Sequence, residues 1–261
     1  MELGATVHGA ISDVFVNADG FKKSISSPGV GNYITVAKAV ASARSILGEE
    51  AIRQRSMIQA HGTSTPQNRV SESHIMNEVA KSFAIKQWPV AAIKAYLGHS
   101  LGPASGDQLL NTLGIWNRGI IPGIKTISHI AADVHQSNLL FSTEHREVGR
   151  EAIDVAILNA KGFGGNNASA TVLAPHIVDK MLAKKYGARA VSQHAKLNEA
   201  VREQAAGYDE RALRGEAMPV YLFDNNVLGG DDLTINDKHI RVPGFEQAID
   251  LDIKSPYAGL L

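Results

Sequence analysis

The chain has 261 residues, of which 44% are hydrophobic and 20% charged, so it is long enough to bury a sizeable core. Lysine plus arginine and aspartate plus glutamate number 26 each, and this balance provides no overall field to attract nucleic acid or a membrane surface. Cysteine is absent, which excludes disulfides, a cysteine-ligated metal and a thiol nucleophile within these residues. The sequence has neither the pattern of a signal peptide nor an apolar run of roughly 18 residues. We therefore expect a cytoplasmic protein.

The first elements alternate between strand and helix. A strand rich in valine and isoleucine is predicted over residues 5–16, followed by a turn at residues 17–20. Serine, proline and glycine over residues 26–32 indicate a loop, after which apolar residues at helical spacing predict a helix over residues 34–47. This helix should stop at Gly48.

The same order of elements then occurs twice, each time with a histidine after the strand. The strands and helices of the two repeats are predicted, in chain order, over residues 57–60, 70–83, 90–93 and 103–117. His61 follows the first of these strands, and His99 follows the turn after the second. In layered α/β proteins ligands bind at the carboxyl ends of strands, so we expect both histidines to face a binding site.

The remainder of the chain divides into two parts. Strands are predicted over residues 154–158 and 168–173, joined by a long glycine-rich turn. From residue 175 the composition changes to a long basic helix over residues 177–206, and short strands are predicted over residues 219–243. We therefore predict a layered α/β domain over residues 1–174 and a C-terminal extension of helix and short strands over residues 175–261.

Three short segments contain the residues suited to catalysis. They are Ala-His-Gly-Thr-Ser-Thr-Pro at 60–66, Lys-Ala-Tyr-Leu-Gly-His at 94–99 and Asn-Ala-Lys-Gly-Phe-Gly-Gly at 159–165. Together they resemble the β-ketoacyl synthase family, in order and spacing, over roughly residues 5–174. The resemblance implies the C-terminal half of a β-ketoacyl-acyl carrier protein synthase, with a thiolase-like fold in which a layered mixed β-sheet is covered by helices.

The resemblance also implies an activity and a partner. Such enzymes condense malonyl-carrier protein with an acyl thioester by a decarboxylative Claisen reaction, in fatty acid or polyketide synthesis. They bind acyl carrier protein, which carries the substrate on phosphopantetheine, and they need no permanently bound cofactor and no metal. The enzymes are homodimers. Their nucleophilic cysteine would lie in an upstream half, so we expect these 261 residues to be inactive alone.

The resemblance assigns roles to eight residues. Two histidines, His61 and His99, would stabilise negative charge on the thioester oxygen during decarboxylation, and Lys94 would organise the groups around them. The threonines Thr63 and Thr65 would hydrogen-bond the pantetheine amides. The other three residues lie in the glycine-rich segment. Phe163 would be a gate for the acyl pocket, and Gly164 and Gly165 would give this gate conformational freedom.

Some positions depart from the family pattern, and other functions stay open. The departures are Arg69, Gln108, Lys161 and Asn166. They leave the acyl-chain preference and the pairing of the active-site lysine undefined. A non-catalytic partner, comparable to chain-length-factor or decarboxylase-like subunits, is an alternative because it would also lack the cysteine. A thiolase fits less well, because thiolases generally have an asparagine-containing motif in place of the His61 segment and no counterpart of Lys94.

Overall fold

The structure, a computed structural model, describes residues 3–20, 29–217, 225 and 227–259. It consists of two compact units, residues 1–204 and residues 205–261. In chain order the elements are β1 (Ala10–Ala18), α1 (Gly31–Leu47), α2 (Glu49–Gln54), β2 (Ser56–Gln59), α3 (Pro66–Ser82), β3 (Trp88–Ala91), α4 (Lys94–Leu97), α5 (Ala104–Arg118), β4 (Ile120–Ile121), β5 (Leu139–Leu140), β6 (Arg146–Glu147), β7 (Val155–Gly162), β8 (Asn166–Leu173), α6 (Pro175–Tyr186), α7 (Ala188–Leu213), β9 (Thr234–Ile235), β10 (His239–Arg241) and β11 (Ile249–Asp250).

A six-stranded mixed sheet is the centre of the first unit. Its strand order is β1-β8-β7-β2-β3-β5. The pairs β1–β8 and β8–β7 are antiparallel, whereas β7–β2, β2–β3 and β3–β5 are parallel. The carboxyl ends of the three neighbouring strands β7, β2 and β3 therefore meet at one edge of the sheet. The predicted class, a layered mixed sheet covered by helices, is confirmed.

The sheet has a hydrophobic core on each face. Because successive side chains of a strand point to opposite faces, Ile58 and its neighbour Met57 belong to different cores. The core around Ile58 includes buried residues of α1 and α3, and the core around Met57 includes Ile115 and Trp116 of α5. The helices thus form the two outer layers that hold the strand ends in place.

Several predicted boundaries were wrong, three of them for identifiable reasons, and helix α2 was not predicted. Strand β1 begins at Ala10 and runs through the predicted turn to Ala18, because residues 17 and 18 pair with β8. Helix α3 begins at Pro66, four residues before its predicted start, because Thr65 caps it and proline fits the first helical position. The long turn predicted between β7 and β8 is only the short helical segment Phe163–Gly165, since both strands extend into the glycine-rich sequence.

The C-terminal predictions need a further correction. The single long helix predicted over residues 177–206 is two helices, α6 and α7, because Gly187 interrupts the helix with a φ of 83°. The short strands β9 and β10 lie within the predicted stretch, whereas β11 lies beyond residue 243 and was not predicted. Residues 219–224 and 226 of that stretch, and residues 26–28 of the predicted loop, lie outside the described residues.

The domain boundary predicted at residue 174 stays a prediction. Helix α6 begins at Pro175, directly after it, and Val178 of that helix is buried in the core of the first unit. None of the helices in the described part of the chain has the length and hydrophobicity of a membrane-spanning segment.

Candidate active site

The two motif histidines lie together at the carboxyl edge of the sheet. His61 follows β2, and His99 follows the single turn α4 after β3. Their rings are 5.2 Å apart between centroids and nearly perpendicular, at 84°. Both rings line a cavity of about 380 Å³, which Phe163 also lines. Parallel pairing of β2 with β3 thus brings together two side chains that are 38 positions apart in the sequence.

Main-chain donors fix the tautomers of both rings. The N–H of Lys161 donates to Nδ1 of His61 at 3.3 Å, and the N–H of Leu101 donates to Nδ1 of His99 at 3.1 Å. A main-chain N–H can only donate, so both Nδ1 atoms are acceptors and the neutral rings carry their proton on Nε2. Among the described groups, the buried Nε2 of His61 has no hydrogen-bond partner. The site therefore holds two imidazole N–H donors.

Both rings are held neutral at physiological pH. The pKa of His61 is lowered to about 4, mainly by burial and in part by the charges of Lys94, His99 and Lys161, against the opposing effect of Glu72. Burial also lowers the pKa of His99, with Lys94 acting in the same direction and Asp107 against it. The imidazoles are therefore hydrogen-bond donors without a charge of their own.

Lys94 contacts the main chain and the ring of His61. Its ammonium donates to the carbonyl oxygen of His61 and lies 3.3 Å from Nδ1 of the same residue. Burial lowers the pKa of Lys94, while Glu72 and Asp107 raise it. The helical turn α4, which begins at Lys94, was not predicted, and it places the lysine beside His61 while returning the chain to His99.

Glu72 is a central residue of the site that the sequence analysis did not identify. Its carboxylate is buried and accepts hydrogen bonds from the main-chain N–H groups of His61 (2.6 Å) and Gly62 (2.9 Å). It also accepts from the side-chain amides of Asn68 and Asn159, both at 2.9 Å. These contacts compensate for burial of the charge and anchor the His61 segment to α3.

A signal for Glu72 was present in the sequence. The residue stands three and four positions before Ile75 and Met76, on the apolar stripe of α3 that faces the core. A glutamate on such a stripe is buried, and a buried carboxylate needs several donors. Three of its four partners, in His61, Gly62 and Asn159, lie outside α3 on a loop and a strand, which sequence periodicity does not reveal.

Gln108 of α5 connects two strand ends on the other face of the sheet. Its side-chain amide nitrogen donates to the carbonyl oxygens of Ala60 and Asn159, each at 2.9 Å. Two carbonyl partners define which end of the amide group is the nitrogen. Its buried Oε1 has no hydrogen-bond partner within the described part of the chain, and the residue lines the histidine cavity. Gln108 thereby holds β2 and β7 in register at the site.

The two threonines lie beside the site but do not line the histidine cavity. Thr63 and Thr65 are 3.3 Å apart between their hydroxyl oxygens. Thr65 is the N-cap of α3, where its hydroxyl accepts from the N–H of Asn68 at 3.4 Å. Its described contacts are therefore structural, and the predicted pantetheine contact stays a prediction.

The Phe163 turn closes the other side of the cavity. The Phe163 side chain is 80% exposed at the cavity wall. Gly164 and Gly165 adopt φ values of 76° and 80°, which other residues seldom adopt, and neither lines the cavity. The carbonyl oxygen of Gly165 accepts from the N–H of Asp19 and the side-chain amide of Asn167, both at 2.9 Å. The turn is thus anchored behind an exposed aromatic side chain.

Comparison with known proteins identifies this arrangement. Residues 8–128 match the family described as beta-ketoacyl synthase, C-terminal domain. These residues form a β-ketoacyl synthase C-terminal domain. The ketosynthase domain includes His61, Lys94 and His99, while β7, β8 and the Phe163 turn follow it in the chain.

Individual relatives agree with this assignment. Beta-ketoacyl-[acyl-carrier-protein] synthase FabY of Pseudomonas aeruginosa is 50% identical over 250 residues, which are 95% of this chain and 39% of that protein. The 3-oxoacyl-[acyl-carrier-protein] synthase 1 of Escherichia coli is 32% identical over 112 residues, 43% of this chain and 26% of the relative. The chain therefore spans about two fifths of the length of FabY.

Solved structures show the same fold. The crystal structure of the noncanonical ketosynthase FabY from P. aeruginosa superposes with a TM-score of 0.88 at 48% identity, covering 100% of this chain and 40% of that one. A ketosynthase from module 1 of the bacillaene synthase of Bacillus amyloliquefaciens has a TM-score of 0.56 at 19% identity over 66% of this chain and 31% of that chain. The predicted ketosynthase fold is confirmed.

Proposed function

We propose that this chain provides the decarboxylation and pantetheine-binding part of a 3-oxoacyl-[acyl carrier protein] synthase. The observation that carries the proposal is the pair of neutral imidazoles at one cavity, each with Nδ1 occupied by a main-chain N–H. The reaction is the decarboxylative condensation of malonyl-carrier protein with an acyl thioester, in fatty acid or polyketide synthesis.

The chemistry uses both Nε2–H groups. When the malonyl thioester loses carbon dioxide, the electron pair of the broken C–C bond forms an enolate, and negative charge develops on the thioester oxygen. Two N–H donors from His61 and His99 would strengthen their hydrogen bonds to that oxygen as the charge grows. Lys94 supports this arrangement because its ammonium contacts the carbonyl oxygen and the ring of His61. The enolate carbon would then attack the carbonyl carbon of the acyl thioester, whose C–S bond breaks to release the thiolate of the nucleophile outside these residues.

The acyl group must be held by a nucleophile outside these 261 residues, because the chain contains no cysteine. We therefore expect this chain to be inactive alone and to carry out its part of the reaction only together with the cysteine-bearing half. The same observation favours a second candidate, a decarboxylase-like partner subunit. Release of carbon dioxide by this chain alone, with no stimulation by a cysteine-bearing part, would favour that candidate.

The substrate would arrive on acyl carrier protein through its phosphopantetheine arm. Thr63 and Thr65 would hydrogen-bond the pantetheine amides, Phe163 would gate the acyl pocket and Gly164 and Gly165 would allow the gate to move. In this proposal the protein is cytoplasmic and needs no other cofactor.

A homodimer is also part of the proposal. Supporting it, Ile11, Val14 and Val16 of β1 are 53%, 58% and 71% exposed, although they are apolar residues of a sheet. An exposed apolar face of this kind marks a contact surface when it is contiguous over several hundred Å².

The test measures carbon dioxide release and acyl transfer separately, with malonyl-carrier protein and an acyl thioester, in the condensing enzyme that includes this chain. His61→Ala and His99→Ala should each lower carbon dioxide release about 10²- to 10³-fold, because each removes one donor, while acylation of the nucleophile stays detectable. His8→Ala, at an exposed histidine, is the matched control and should leave both steps unchanged. Unchanged carbon dioxide release in both site variants would contradict the proposal.

A further inference from the structure

Lys161 is a buried lysine inside the site that the proposed chemistry does not use. Lys161 is only 6% exposed, whereas lysine is seldom buried in proteins. It lies on β7 beside His61. Burial of an ammonium is unfavourable unless it is paired or hydrogen-bonded, so a lysine here needs a reason in the site itself.

The side chain of Lys161 determines the orientation of an amide group. Its Nζ donates to Oδ1 of Asn68 at 3.1 Å, and Nδ2 of Asn68 donates to Glu72 at 2.9 Å. A lysine ammonium can only donate, so Oδ1 of Asn68 must face it and Nδ2 must face the carboxylate. The reversed amide would place its oxygen against Glu72.

Glu72 in turn holds the main chain of the catalytic segment. Its carboxylate accepts from the N–H groups of His61 and Gly62, so a chain of hydrogen bonds connects the Lys161 ammonium to the His61 main chain. The main-chain N–H of Lys161 donates to Nδ1 of the same histidine ring. One residue therefore acts on His61 by two separate routes.

We propose that Lys161 is a positioning residue of this site: its main chain fixes the tautomer of His61, and its ammonium, through Asn68, orients the carboxylate that anchors the His61 segment. The catalytic meaning of this assignment rests on the proposed function. The positioning itself does not, because it is a statement about the free protein.

The charge of Lys161 also acts on the His61 ring. The charged and titratable groups that face this ring are Glu72 from α3, Lys94 from α4, His99 from the following loop and Lys161 from β7. Lys161 lowers the pKa of His61, so loss of its charge should raise that pKa from about 4 toward the ordinary value of 6.5.

The test uses the 261-residue chain and nitrogen-15 NMR of its histidine rings, which reports tautomer and titration midpoint together. In Lys161→Gln the side chain can still donate to Asn68 but has no charge, and in Lys161→Arg the charge is retained. We expect the His61 midpoint to rise in Lys161→Gln and to stay low in Lys161→Arg, with the Nε2–H tautomer unchanged in both because the main-chain donor remains. Lys86→Gln, at an exposed lysine, controls for loss of one positive charge.

A third variant, Lys161→Met, tests the route through Asn68. Amide hydrogen exchange at His61 and Gly62 should become at least tenfold faster in Lys161→Met than in Lys86→Met, because the Glu72 anchor loosens. A His61 midpoint in Lys161→Gln equal to that of Lys86→Gln, or exchange unchanged in Lys161→Met, would overturn the proposal. If Lys161→Met does not fold, the His61 titration midpoints of Lys161→Gln and Lys161→Arg alone decide whether the proposal stands. Carbon dioxide release that is independent of His61 would refute the proposed function and leave these outcomes unaffected.

Discussion

His61 and His99 line one cavity and present the same nitrogen, yet the surrounding structure treats them differently. His61 is 2% exposed, and Glu72 and Lys94 both contact its main chain. His99 is exposed and lies on the loop after α4, where the described contact of its ring nitrogen is the N–H of Leu101. One donor is thus built into the core of the domain, whereas the other is carried by a surface loop. The chemical role proposed for both histidines therefore does not imply the same structural role.

The largest effect is expected when the Glu72 carboxylate, which anchors His61, is removed, and this tests the structural difference between the two histidines. Glu72→Ala leaves four donors without their acceptor, so we expect the free energy of unfolding to fall by about 3–5 kcal/mol. Urea denaturation measures this change. Glu199→Ala, at an exposed glutamate of α7, is the control and should change the value by less than about 0.5 kcal/mol. A loss as small as that of the control would mean that Glu72 does not anchor the site.

The pH dependence of the free energy of unfolding tests the same difference, between a buried and an exposed histidine. His61 has a pKa of about 4 in the folded protein and an ordinary value of 6.5 when unfolded, so the unfolded chain binds more protons between these values. The stability that comes from a neutral, buried His61 is complete above pH 6.5 and is lost as the pH falls through 4. The loss is about 3 kcal/mol at most.

This loss is measured as the difference in unfolding free energy between the wild type and His61→Gln at pH 7, 5 and 4. The difference should narrow as the pH falls, because the variant has no His61 to protonate. His99→Gln should alter the pH dependence less, since His99 is exposed. A wild type and a His61→Gln variant with parallel pH profiles would contradict the prediction.

A smaller effect is expected at the start of the helix that carries Glu72. Thr65→Ala removes the N-cap of α3 and should lower the unfolding free energy by about 1 kcal/mol. Thr63→Ala is the matched variant, because Thr63 caps no helix, and it should cost less. Equal losses from both variants would show that the cap contributes no more to stability than the Thr63 hydroxyl does. If both also weaken the binding of a pantetheine thioester, the predicted contact with substrate is supported separately from stability.

The smallest effect on stability belongs to His99. His99→Ala should change the unfolding free energy by less than about 0.5 kcal/mol, because the ring is exposed, even though it should abolish most carbon dioxide release. Thermal or urea denaturation checks this expectation beside His61→Ala, which should be clearly destabilised. A large loss in His99→Ala would show that both histidines are structural.

The sequence predicted the residues that stand after strands. His61, Lys94 and His99 could be located because short motifs mark them, and parallel strand ends bring such motifs together. Phe163 was also placed at the cavity. The supporting network of Glu72, Asn68, Asn159 and Lys161 was missed, because its members are up to 93 positions apart and their contacts depend on packing.

Some boundaries of helices and strands were predicted wrongly, for reasons that concern the individual element. Strand β1 continues through a sequence typical of a turn, because pairing with β8 outweighs local turn propensity. The break at Gly187 was missed because the apolar periodicity continues on both sides of it. Gly48, in contrast, ended α1 where predicted.

The donors that fix the two histidine rings are main-chain N–H groups, of Lys161 and Leu101. Leu101 reaches this position with a φ of 65°, a conformation that costs a residue with a side chain roughly 1–2 kcal/mol. Since every residue except proline has this donor, substitutions at either position can alter the chemistry around the rings and still leave the tautomers intact. The path of the main chain thus determines which nitrogen of each ring can donate a hydrogen bond, and this can persist while the neighbouring side chains diverge.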